Sequence, residues 1–249
     1  MELVEGSYLI VRVMSFWLTV KPPLLKVAQL YQTEILGSLL FYTDGITVWN
    51  ANDEVMLNGT GLLGGTPELL SSTSAAAIVL DPGSETMYYI FTIDEQSSNN
   101  GLRYSIVDMT LDGGLGAIPA NMKNISVLAT TSEKIQIVPN ADLSGYWVIT
   151  HDNQEAFCAF ELSTSRISIT PVVSTVSAPQ FTGAGHMKMN RTFDRLAMRS
   201  FFETNISLYD FDNAIGVFSN PVIWPYNLET HYSMVLDFHL MDKFFMFQI

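Results

Sequence analysis

Ala75 to Asp94 reads AAAIVLDPGSETMYYIFTID, two runs of β-branched, aromatic and aliphatic residues on either side of Pro82-Gly83. Pro-Gly is a turn signal and the flanking runs have strand composition, so the stretch predicts a β-hairpin. The same grammar recurs in GYWVITHDNQEAFCAFELS, Gly145 to Ser163, around Asp152-Asn153. It recurs again in SLLFYTDGITVWN, Ser38 to Asn50, around Thr43-Asp44-Gly45. No window carries a capped apolar stripe of helical period, and Gly or Pro interrupts most candidates, so helix should be scarce.

Aligned, the hairpins form a repeat. SLLFYTDG is followed by ITVWNAND, MYYIFTIDE by LRYSIVDMT, GYWVITHD by AFCAFELS, and DRLAMRSF by NISLYDFD. The spacing is about 50 residues or a little more, the size of one blade. After each pair comes a short edge segment (GTGLLG, NISVLAT, SITPVVS, NPVIWP), and before three of them lies a first strand (SAAAIVLD, EKIQIVPN, HMKMNRT). Four short antiparallel strands repeated in one order specify an all-β fold, an incomplete β-propeller of about four blades, the first lacking its opening strand. A β-sandwich also has frequent turns but does not require that recurrence.

Composition narrows the function. With 48% hydrophobic and 15% charged residues the chain is too apolar for disorder. No run reaches the roughly 18 uncharged apolar residues of a membrane span. Twelve Lys and Arg against 25 Asp and Glu give a net charge of -13, which repels nucleic acid phosphates. The N-terminal YLIVRVMSFWLTV has the length of a signal core, but the preceding MELVEGS is acidic where a signal peptide is basic.

The strings LLFYTDGITVWN, GLRYSIVDMTLDGGLG, YWVITHD and LYDFDNAIGVFSNP, within Gly37 to Tyr232, resemble WD-repeat-like propeller modules of secreted Bacteroidetes proteins that end in a gliding-motility-associated sorting domain. The resemblance implies type IX export and a secreted or cell-surface location, and it brings no catalytic residues. It stops at both ends. Read from the third base of each codon, Leu25 to Ile35 can encode EGSSIISDRN, and Ser233 to Ile249 can encode YGVRFSPNGQIFYVSN, a propeller strand, a Pro-Asn-Gly turn and a second strand. Residues 1–36 and 233–249 therefore read as out-of-frame segments flanking a propeller fragment at 37–232. Such an arc exposes blade faces and strand edges, through which self-association is expected.

No constellation assembles a catalytic, cofactor or metal site. His151 and Asp152 are adjacent, so on an extended chain they point to opposite sides, and a turn role for Asp152 or Asn153 is expected. His186, His231 and His239 have no ligand spacing with one another or with Cys158, which reads as a buried strand thiol. Asp210, Asp212 and Asn213 in DFDNAIG supply oxygens but lack the distal Glu of a calcium loop. LDGGLG at Leu111 to Gly116 lacks a Lys-Ser or Lys-Thr pair and a following helix. Ser71 to Ser74 has no nucleophile elbow, and the sequons at Asn58, Asn124, Asn190 and Asn205 would carry glycans only in a eukaryotic secreted protein. Trp49, Trp147 and Trp224 are expected to pack between blades.

The functional expectation is a non-enzymatic binding or scaffold module with a protein or glycan ligand. The alternative is a lactonase-type, metal-dependent propeller hydrolase. Sequencing the encoding DNA should show the shifted frames continuing the repeat at both ends. Stop codons or unrelated sequence there would end the frame reading.

Overall fold

The computed structural model describes residues 29–32, 39–65, 72, 74–94, 100–152, 156–176, 183–200, 205–225, 236–238 and 244–246. Four antiparallel four-stranded sheets follow one another along the chain. The first contains β1 (Gln29–Gln32), β2 (Leu39–Thr43), β3 (Thr47–Asn50) and β4 (Val55–Thr60). The second contains β5 (Ala76–Leu80), β6 (Met87–Ile93), β7 (Leu102–Asp108) and β8 (Ile125–Leu128). The third contains β9 (Ile135–Pro139), β10 (Tyr146–His151), β11 (Ala156–Leu162) and β12 (Val172–Thr175), and the fourth β13 (Gly185–Met189), β14 (Arg195–Ser200), β15 (Asn205–Asp212) and β16 (Val217–Pro225). A separate pair, β17 (Leu236–Phe238) with β18 (Phe244–Met246), lies with β17 against β13 and β14. The only helices among the described residues are single 3-10 turns at Asp112–Gly114 and Ala120–Met122.

The order within each sheet is that of the sequence, and the first strands β1, β5, β9 and β13 neighbour one another in series. That is the radial arrangement of a β-propeller, here an open arc of four blades. Alternation along each middle strand sends side chains to two different neighbours. In β6, Tyr88 and Ile90 join Phe41, Val48 and Met56 of the first blade, while Tyr89, Phe91 and Ile93 join Val148, Cys158 and Phe160 of the third. In β10 and β11, Trp147, Ile149, Phe157 and Ala159 turn the other way, onto Met187, Leu196, Met198 and Tyr209 of the fourth. Both faces are buried, which is why these strands read as continuous apolar runs rather than as alternating ones. Three cores in series replace the single shared core of a sandwich.

Gln29–Gln32 corrects the expectation of an incomplete first blade: it pairs antiparallel with Leu39–Thr43 and supplies the opening strand. A strand edge offers backbone donors and acceptors that an extended segment of almost any sequence can satisfy, so side-chain pattern did not foretell the pairing. The Thr43-Asp44-Gly45 turn forms as read, with Asp44 Oδ1 accepting the Ile46 and Thr47 amides at 3.0 and 2.8 Å. Trp49 stacks on Tyr42 at 5.2 Å between ring centroids. Trp224, expected to pack, is instead 62% exposed beside exposed Val222 and Ile223 on the outermost strand β16. Two prolines, Pro221 and Pro225, interrupt the donors of this edge.

The third and fourth blades are also joined through a turn. Trp147 Nε1 donates to the Asn213 carbonyl oxygen at 2.8 Å, and the ring lies over Gly216, whose φ is +73°. A Cβ there would stand 2.7 Å from the indole. Gly216→Ala should therefore cost about 2 kcal/mol or more, through both left-handed strain and a displaced Trp147. Urea unfolding measures this, and a change of a few tenths would show that the indole does not rest on this turn.

Candidate functional site

In an antiparallel blade, the first strand begins where the second ends, so the loops entering each blade share a rim with the turns between second and third strands. Among the described residues, every buried Asp, Glu, Lys, Arg and His falls on this rim: Asp44, Asp94, Glu133, Lys134, His151 and Arg199. The opposite rim is built from turns whose acids are spent locally. Asp194, for example, accepts from Asn190 and Thr192, which hold its carboxyl below the usual range.

The densest part of the rim lies between the third and fourth blades. Thr131 to Lys134 enter β9 and are bolted to the end of β10. Ser132 donates its amide to the His151 carbonyl at 2.8 Å, Thr150 Oγ1 donates to the Lys134 carbonyl at 2.9 Å, and the Thr131 and Thr150 hydroxyls are bonded. Lys134 then crosses to the fourth blade, where its Nζ donates to the Gly183 carbonyl at 2.8 Å, an oxygen that also accepts the Glu133 amide at 3.1 Å. Gly185 makes room, since a Cβ there would stand 3.0 Å from Lys134 Cε and 2.2 Å from the Arg199 carbonyl oxygen.

Lys134 is 0% exposed, and burial pulls its ammonium down to about 8, partly offset by the Glu133 charge. Burial likewise pushes His151 down to about 4, against the upward pull of Asp152, with the Lys134 charge adding to the fall. His186 on β13 also stands at about 4, through burial and then the charges of Lys188 and Lys134. Lys134 thus lies within electrostatic reach of both imidazoles, which are neutral at pH 7. His186 is only half-buried and pairs across the sheet with Arg199, and Asn100 Nδ2 donates to Asp94 Oδ2 at 2.5 Å further along the rim.

The residues weighed from sequence are dispersed. Asp152 turns its carboxylate to the Ala156 amide at 2.8 Å while His151 Nδ1 meets the Asp152 carbonyl at 2.5 Å, so the two form no imidazole–carboxylate dyad. Asp212 caps the Ala214 amide and Asp210 receives Asn220 Nδ2, both as turn and strand contacts. Asn58 and Asn124 donate their side-chain amides to the Ile118 and Gly61 carbonyls, and Asn190 is buried. Cys158 is buried in β11, where burial and then Asp152 raise its thiol to about 11. His231 and His239 lie outside the described residues. Among the described residues no three His, Cys, Asp or Glu side chains converge as metal ligands, and no helix is long and apolar enough to cross a membrane.

No family profile and no curated protein matches the chain in sequence. Solved structures match its fold. A provisional 6-phosphogluconolactonase of Bacteroides uniformis superposes with a TM-score of 0.50 at 12% identity, over 88% of this chain and 59% of its own. A second provisional 6-phosphogluconolactonase, of Bacteroides fragilis, gives a TM-score of 0.51 at 7% identity over 87% of this chain and 68% of its own. The chain therefore spans less than two thirds of the first of these propellers. Both neighbours bear enzyme names, and this corrects the expectation of a non-enzymatic scaffold. The sequence reading did not reveal the rim, where ionisable groups from separate blades are buried.

The Lys134 shift has a stability sign. Its folded value lies below the ordinary 10.5, so between pH 8 and 10.5 the unfolded chain binds more protons and stability rises with pH. Below pH 8 the lysine is charged in both states and the penalty is constant. Denaturant unfolding across this window should show the rise, and Lys134→Met should flatten it. An equal slope in both proteins would mean that Lys134 is not buried at this seam.

Proposed function

We propose that the chain is an arc of a propeller hydrolase of the lactonase type, opening the cyclic ester of a sugar acid at the rim that carries Lys134, His151, His186 and Arg199. The observation that carries this reading is the confinement of the buried ionisable groups to one rim, in a fold also adopted by two proteins named as 6-phosphogluconolactonases. Lactone hydrolysis needs a base to take a proton from water as it attacks the carbonyl carbon. It also needs a cation or acid to hold the developing oxyanion and to protonate the ring oxygen as its bond breaks. His186, half-buried and neutral at pH 7, is suited to the first task. Lys134, charged below about 8 but fully enclosed, would favour the oxyanion through its field rather than by contact. The roles assigned here fall to side chains alone, since among the described residues no three His, Cys, Asp or Glu side chains converge as metal ligands. The secreted or cell-surface location implied by the family resemblance belongs to the same proposal, and fractionation of the source cells tests it.

The activity test is a pH-stat assay with gluconolactone and 6-phosphogluconolactone. Ring opening should exceed the buffer rate, and Lys134→Met and His186→Asn should each lower it by about 100-fold or more. A folded sample that leaves both lactones at the buffer rate would overturn the reading.

A further inference from the structure

We infer that the seam between the third and fourth blades is acid-labile: protonation of the His151 ring beside the buried Lys134 ammonium releases the Lys134–Gly183 tether and parts the two blades at this rim. Rows of the sheet establish where His151 lies. It follows Trp147 and Ile149 on the face of β10 that packs onto the fourth blade, and its ring meets Phe157 edge-on at 5.0 Å. Phe157 in turn stacks on Phe218 of β16 at 4.2 Å and abuts Tyr209 of β15 at 4.8 Å. The imidazole therefore forms the upper end of the apolar core that holds the two blades together.

The tether lies at the same end. Glu133 and Lys134 both donate to Gly183, the approach to β13, and the loop bearing them is bonded to His151 through the Ser132 amide. The register of β9 and β10, with Thr150 opposite Ile135, sets His151 opposite Lys134 in the next row, so a second positive charge at His151 would stand beside the Lys134 ammonium in the seam. Among the described residues, the charges that act on the ring are Asp152 and Lys134; Glu133 neighbours Lys134 on the entering loop, His186 and Lys188 lie on β13 with His186 paired to Arg199 of β14, and Cys158 turns to the other face of β11. Asp152 and Glu133 oppose the effect, but the Asp152 carboxylate is engaged by the Ala156 amide. The balance of burial and charge still holds His151 well below its ordinary value. The seam would open in this way whether or not the rim hydrolyses a lactone.

Hydrogen exchange read by mass spectrometry, corrected for intrinsic rate, tests this from neutral pH down to about 4.5. The Ser132, Glu133 and Gly185–Met189 amides should lose about tenfold or more of their protection while β6 and β7 of the second blade keep theirs. His151→Asn should remove that pH response. If the variant does not fold, seam protection in the unaltered protein should begin to fall below the ordinary imidazole value of 6.5 and level off where the folded His151 ring titrates, at about 4. Constant protection at the seam, simultaneous loss in all blades, or seam opening without His151 protonation would each overturn the inference.

Discussion

Face-to-face packing of one blade on the next is the interaction on which the rest depends. A four-stranded sheet of this length cannot bury both faces alone, and each of the three cores draws its residues from two consecutive blades. Alternation lets Tyr88 and Tyr89, one residue apart, serve different neighbours. Polar clasps then fix the register of the blades. Lys123 Nζ reaches back from the second blade to the Asn58 carbonyl at 3.0 Å and to the Asn58 side chain and Thr60 carbonyl, and Trp147 bonds Asn213 at the next seam.

Radial stacking also separates two chemically different rims. Turns between first and second strands close on themselves, as in Asn190 to Asp194, and leave their acids hydrated or bonded within the turn. The other rim receives the loops that step between blades, and those loops must cross from one sheet to the next. Lys134 makes that crossing, and its burial is a property of two blades rather than of its own strand. Burying a lysine and two imidazoles in one seam destabilises the charged forms of all three, so such groups are expected where protons are moved or where a joint responds to them.

The repeat was legible because turn chemistry and strand composition agree at every level, from Pro82-Gly83 to the order of four strands. The rim was not. EKIQIVPN is visible as a first strand, but nothing local tells that Lys134 will be enclosed by Gly183 and Gly185, some fifty residues away. His151 and Asp152 find separate partners, and nothing local to them could show the cation at the entry to β9 that acts on His151. Gln29–Gln32 was missed for a different reason, since its pairing rests on backbone groups that any sequence carries. Trp224 has the composition of a packing residue but stands exposed on the outermost strand.

Blade-on-blade packing has a direct energetic signature. Phe157 on β11 and Phe218 on β16 belong to different sheets and touch only if those sheets are stacked, with ring centroids 4.2 Å apart. A double-mutant cycle with Phe157→Leu and Phe218→Leu, read by denaturant unfolding, should return a coupling of about 0.5 to 1.5 kcal/mol. Additive effects, with no coupling beyond experimental error, would contradict the stacking of the third blade on the fourth and with it the radial arrangement.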